Sequence, residues 1–209
     1  NDWTSNDLTE SDVMVDSPTN NFCTMNPLFQ HSDGTMSSAV FSEGNLKVST
    51  NTTTSTGNQS YGSMGINSGK WYWEAELLGG NVGGMIGIYS YDLNYIMYYE
   101  ANGNKYQNTG NTAYGATYAD LDIIGIAYNA DDNELTFYKN GVSQGVVTTP
   151  VTGDGRFYFP SVSDGSWTSY ALWIANFGQD SSFAGNKTPQ GNSDSNGIGD
   201  FYYAPPAGF

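Results

Sequence analysis

Few side chains in this chain are equipped for catalysis. His31 is the sole histidine and reads as a residue of a polar loop, so neither a Ser-His-Asp triad nor a multi-histidine metal site has the material it needs. Glu74 and Glu76 share one face of an extended segment. Their spacing of about 7 Å falls inside the ~5–9.5 Å that separates glycosidase carboxylates. That pair is the best catalytic candidate, and it is read as structural. Asp131, Asp132 and Glu134 sit at a turn, where solvated or turn-forming acids are expected. The expectation is a protein that is not an enzyme.

Oxygen ligands are better represented. NSDSNGIGD, residues 192–200, places Asn192, Asp194, Asn196 and Asp200 around Gly197 and Gly199. Alternating Asp and Asn followed by Gly and a later acid is how short loops wrap oxygens around Ca²⁺. The stretch resembles the DxDGDGIGD calcium repeats of thrombospondin-like proteins. Asparagine replaces two of those acids here, which lowers the ligand charge. Ca²⁺ is the one cofactor to consider, set against a Gly/Asn loop that needs no metal.

Recognition by aromatic rings is the third chemistry. Seven of the 16 tyrosines fall between residues 91 and 118. Tyr91, Tyr95, Tyr98, Tyr99 and Tyr114 are candidates for contacting a sugar or a protein pocket, since tyrosine joins a rigid apolar face to a polar tip. The alternative is that a long insert uses its tyrosines as a small core of its own. Trp167, in DGSWTS, is a further candidate contact, or a cap over one end of the fold.

Composition narrows the classes of partner. A net charge of −15 with six Lys and Arg argues against nucleic acid, whose binding needs cations to neutralise phosphates. It also argues against an anionic membrane surface. No run approaches the ~20 apolar residues of a membrane span. Cys23 is alone, which excludes a disulfide within the chain and suggests a small buried hydrophobe. The sequence starts at Asn1 rather than Met and stops at Phe209 in AGF, and the expectation is a processed piece of something longer.

Glycine at 26 residues and aromatics at 15% against charged residues at 13% suit an all-β chain rich in turns. Residues 38–50 read as a hairpin turning at Glu43-Gly44-Asn45, and 51–60 as a polar loop. In GKWYWEAEL (69–77) Trp71, Trp73, Ala75 and Leu77 alternate with Tyr72, Glu74 and Glu76, which predicts a half-buried strand with both tryptophans inward. GGMIGIYS (83–90) follows at hairpin distance. Residues 91–120 show no clear period. DIIGIAYNA (122–130) reads as a strand buried on both faces. NELTFYKNGVSQG (133–145) is a hairpin whose Asn140-Gly141 turn accommodates positive φ at both positions. RFYFPSVSDGS (156–166) and ALWIANFG (171–178) complete the strands, and FYYAPPAGF (201–209) reads as an edge strand or a return arm. Trp71, Trp73, Ile124, Ile126, Leu135, Phe137, Phe159, Trp173 and Phe177 are assigned to the core.

In this order and spacing, GKWYWEAEL, GGMIGIYS, DIIGIAYNADDNELTFYKNG, FYFPSVS and ALWIANFG resemble the SPRY domain, the centre of B30.2 modules. The resemblance covers about 38–178. It implies a bent sandwich of two antiparallel sheets, a binding module rather than an enzyme, and acids at the Glu74 and Glu76 positions that serve the structure. The Tyr-rich insert departs from the family's usual loop, so binding residues of animal members do not carry over. The flanks, DSPTNNFCTMNPL (16–28) and residues 176–209, resemble segments beside SPRY domains in structural proteins of tailed, often marine, phages.

These readings combine into an all-β, concanavalin-like jelly roll with extended arms. Residues 1–21 form an N-terminal arm, 22–178 the SPRY-type sandwich and 179–209 a Gly/Asn/Asp-rich loop with a C-terminal arm. The expected role is a virion or extracellular adhesion module, in a tail fibre or appendage. Its partners would be other virion subunits, or a host surface protein or glycan, with no nucleic acid and no membrane insertion. A homo-oligomer is expected. The alternatives are a purely structural capsid or tail decoration protein, and a lectin-like or carbohydrate-active sandwich of a cell surface.

Overall fold

The computed structural model describes residues 21–31, 39–50, 59–80, 83–108, 110–148, 155–165 and 170–209. Alternating apolar residues and Gly/Asn turns give them fourteen strands and no helix. These are β1 (Met25–His31), β2 (Val40–Ser42), β3 (Lys47–Ser49), β4 (Gln59–Gly62), β5 (Lys70–Gly80), β6 (Gly84–Ser90) and β7 (Tyr95–Tyr99). The chain continues with β8 (Asn104–Gln107), β9 (Gly110–Ala113), β10 (Ile123–Asn129), β11 (Glu134–Lys139), β12 (Val142–Thr148), β13 (Tyr158–Asp164) and β14 (Ala171–Asn176).

They form two seven-stranded antiparallel sheets. The first runs β1-β4-β13-β6-β7-β8-β9 and the second β12-β11-β10-β5-β14-β3-β2. This is the expected jelly-roll sandwich. Period-2 alternation decides what faces inward. Trp73, Ala75 and Leu77 of β5, Ile124 and Ile126 of β10 and Phe137 of β11 meet Ile86 and Ile88 of β6 and Ile96 and Tyr98 of β7 in one buried cluster. Each such side chain contributes about 1.5–3 kcal/mol by leaving water.

Four expectations need correction. Trp71 has the parity of the core residues but lies 44% exposed, because β14 ends at Asn176, opposite Glu74, and leaves that flank of β5 without a neighbouring strand. Residues 91–113 carry three strands, β7, β8 and β9, which extend the first sheet to its edge. YIMYY hides its period because both faces of β7 carry large apolar groups. His31 ends β1, paired with Gln59, instead of lying in a loop. Gln59 and Ser60, read as the end of the polar loop, belong to β4.

The Asn140-Gly141 turn is as expected, with φ of 48° and 77°. Asn140 also works outside its hairpin: its Oδ1 accepts from the Ile123 N–H at 2.9 Å and its Nδ2 donates to Asp122 at 2.6 Å.

Candidate binding surfaces

Each sheet has a face turned away from the core, and the two outward faces end differently. On the second sheet the odd-numbered residues of β10 and the even-numbered residues of β5 point out. The chain after β14 folds back over them. Leu46, Ile123, Ile174 and Phe183 form a second small core there, with Tyr202 and Tyr203 packed against it. A Cβ on Gly141 would lie 2.8 Å from the Tyr203 ring, so the hairpin turn supports this arm as well.

Glu74 and Glu76 lie under that arm, both fully buried. Glu74 accepts from the backbone N–H groups of Tyr202 and Tyr203 at 2.8 Å each. It also accepts from the Tyr72 hydroxyl at 3.1 Å and the Asn176 amide at 3.3 Å. Burial raises its pKa to about 7 against the lowering pull of these hydrogen bonds. Glu76 Oε1 faces the Lys187 ammonium at 2.9 Å, and burial pushes its pKa up while Lys187 pulls it down. Two sealed carboxylates tied to their own chain cannot reach a glycosidic bond in this geometry. They clamp the arm.

The first sheet turns an aromatic surface outward. Register places Phe159 opposite Tyr89 and Tyr89 opposite Tyr95, which makes a row across β13, β6 and β7. Tyr89 and Tyr95 stack at 5.2 Å with their planes 7° apart. Phe29 of β1 stacks on Tyr61 of β4 at 4.5 Å. Tyr91 lies over both groups, 4.5 Å from Phe29 and 4.7 Å from Phe159. The top of this stack is open to solvent: Tyr91 is 64% exposed, Phe157 48% and Leu93 47%. An ion pair of 2.7 Å between Arg156 and Asp92 joins the two segments that carry these residues.

The tyrosine cluster is thereby divided. Tyr91, Tyr95 and Tyr99 belong to the outward face, and Tyr99 meets Tyr106 edge-on at 5.3 Å. Tyr98 is fully buried in the main core, with its hydroxyl donating to the Ala116 carbonyl. Tyr114 packs against that core and donates to the Gly145 carbonyl of β12. Tyr118, also buried, donates to the Gly84 and Tyr98 carbonyls at 2.8 Å. The reading of the insert as a small core applies to Tyr98, Tyr114 and Tyr118, while Tyr91 stays exposed. Trp167 lies outside the described residues. Phe29, Tyr61 and Tyr89, which no sequence signal singled out, lie beneath Tyr91 as a partly to fully buried base. Phe159 is buried as expected, in a small separate cluster with Tyr61 and Tyr89 on the outward side of the first sheet.

The residues proposed for calcium each engage their own chain. Asp194 Oδ1 accepts from the Asn196 and Ile198 N–H groups at 2.8 Å each. Asn192 donates to the Phe201 and Tyr202 carbonyls, and Asp200 accepts from Ser181. Among the described residues no three His, Cys, Asp or Glu side chains form a metal-holding group. The loop's own amides are sufficient to set its shape.

That loop borders a cleft of about 370 Å³ at the exposed end of β5. Its lining includes buried Trp73 and Phe201, exposed Trp71, and also Phe209, Lys70, Asp194 and Asn196.

A family model for the SPRY domain matches residues 70–179. No curated protein sequence matches the chain. Among solved structures, the SPRY domain of human HERC1 superposes with a TM-score of 0.61 at 16% identity, over 72% of this chain and 96% of that one. A human SPRY domain gives 0.51 at 18% identity, over 65% and 94%. Stonustoxin gives 0.55 at 16% identity over 72% of this chain, which spans 26% of the toxin chain. At these identities the likeness is one of fold.

Proposed function

The chain belongs to the SPRY domain family, and from that premise we propose that it is a non-enzymatic binding module whose contact surface is the outward aromatic face of its first sheet. The observation that carries this reading is exposed Tyr91, packed on half-buried Phe29 and buried Phe159 beside exposed Phe157 and Leu93. Contiguous exposed apolar groups mark interaction sites, and tyrosine and phenylalanine are suited to the desolvated centre of a protein interface. Among the described residues the second sheet offers no equivalent aromatic surface, because the chain's own arm lies on its outward face.

The resemblance of the flanks supports a more specific setting. The module belongs to a phage tail fibre or other virion appendage, outside the cell and in a homo-oligomer. There the aromatic face meets a host surface protein or a neighbouring subunit. A net charge of −15 supports protein partners over nucleic acid.

A capture experiment tests the proposal. The immobilised chain is exposed to solubilised surface proteins of the particle or host, in parallel with a Tyr91→Ala, Phe157→Ser variant. The expected result is a discrete captured protein whose recovery falls about tenfold or more in the variant. Equal recovery by both chains would overturn the assignment of the surface.

A further inference from the structure

We propose that the cleft at the start of β5 is a second binding site, separate from the aromatic face, and that it takes a neutral saccharide. Its volume of about 370 Å³ lies at the small end of ligand sites, which run ~300–1,000 Å³, and suits one or two sugar rings.

The lining has two chemistries. Trp71 is exposed, and its indole N–H already donates to the Ser68 carbonyl at 2.8 Å. What the indole offers the cleft is therefore a flat apolar face, fixed in orientation. Phe209 stands at the cleft as well, held by the hydrogen bond from the Ser195 N–H to its carbonyl at 2.8 Å. Asp194 and Asn196 line the same cleft and provide oxygens and an amide. Asp194 uses Oδ1 to hold the loop, and its Oδ2 makes no hydrogen bond among the described residues.

An apolar peptide side chain would leave those polar groups facing hydrocarbon, which costs free energy. An anionic ligand would meet the Asp194 carboxylate and the field of a strongly acidic chain, against the one ammonium, Lys70, on the lining. A neutral sugar satisfies both sides, with its C–H face on an aromatic ring and its hydroxyls on the carboxylate and amide. The loop read as a calcium site from its oxygens becomes the polar wall of a sugar site.

This inference rests on the reading of the chain as a binding module, and its failure is separable from the failure of that reading. The test titrates the whole chain with lactose, cellobiose and N,N′-diacetylchitobiose, and with 3′-sialyllactose as an anionic counterpart. Saturation-transfer NMR and tryptophan fluorescence are the readouts. At least one neutral disaccharide should saturate at about millimolar concentration, more tightly than sialyllactose. Trp71→Ala should weaken it about tenfold or more, and Asn196→Ala several-fold, with the thermal midpoint of both variants unchanged. Absence of saturation by every neutral probe, stronger binding of sialyllactose, or binding indifferent to Trp71→Ala overturns the proposal. Saccharide binding abolished by Tyr91→Ala and untouched by Trp71→Ala also overturns it, and places the sugar on the aromatic face, leaving the module's binding role intact.

Discussion

Tyr203 follows Glu74 by 129 positions and donates its backbone N–H to Glu74 Oε1 at 2.8 Å. With the Tyr202 N–H on Oε2 at 2.8 Å, this clamp holds the C-terminal arm on the second sheet. Leu46, Ile123, Ile174 and Phe183 add an apolar layer beneath it.

Glu74→Ala removes an acceptor that four donors share and leaves two backbone N–H groups unpaired in a part-buried site. The expected loss of stability is about 3 kcal/mol, measured by urea unfolding. Limited proteolysis should then cut within residues 180–203 well before the sandwich. Cleavage of the sandwich and arm at equal rates would contradict the clamp.

The same carboxylate sets a pH dependence. Its pKa is about 7 in the folded chain against an ordinary 4.5, with burial as the cause. The folded state therefore holds the proton more tightly than the unfolded one. The resulting stabilisation is fully present below pH ~4.5 and is lost as pH rises through ~7. Relative to Glu74→Gln, the wild-type unfolding free energy should fall by about 3 kcal/mol between these limits. A difference that stays flat with pH would contradict the assignment.

Lys187 neutralises Glu76, a carboxylate with no exposed surface. Lys187→Met strands that charge and should cost about 3–5 kcal/mol at pH 8. Adding Glu76→Gln should recover much of the loss, because a neutral amide no longer needs a counter-ion. Additive effects in the double-mutant cycle would show that the pair is not coupled.

Tyr91 and Tyr98 look equivalent in sequence, yet the fold puts one in water and the other in the core. Tyr98→Ala should cost about 3–5 kcal/mol. Tyr91→Ala should cost about 1 kcal/mol or less, since it loses edge and stacking contacts at an exposed site. Thermal unfolding of the two variants decides this, and similar midpoints would contradict the division of the tyrosines.

The sequence made the strands with clean alternation legible: Trp73, Ala75 and Leu77 in β5, Leu135 and Phe137 in β11, and the turn at Asn140-Gly141. What it hid depends on distant segments. Glu74 and Glu76 follow the polar half of the alternation, but the arm that buries them arrives more than a hundred residues later. Trp71 follows the apolar half, but β14 stops at Asn176 and leaves that flank of β5 open. Tyr95, Met97 and Tyr99 alternate with Ile96 and Tyr98 without a polar residue, so the insert shows no period. The candidate surface was legible only through Tyr91, Tyr95 and Tyr99, because Phe29, Tyr61 and Phe159 join it from strands far apart in the chain.

The most direct measurement places a photo-crosslinking benzoylphenylalanine at position 91 on the aromatic face, and in a separate chain at position 146. Val146 is exposed on β12, the edge strand of the other sheet. Each chain is irradiated with the surface fraction of the particle or cell that carries it. The account predicts a discrete protein adduct from position 91 and none from position 146. Adducts from position 146 alone, or of equal yield from both, would contradict the claim that the first sheet's outward face is the binding surface.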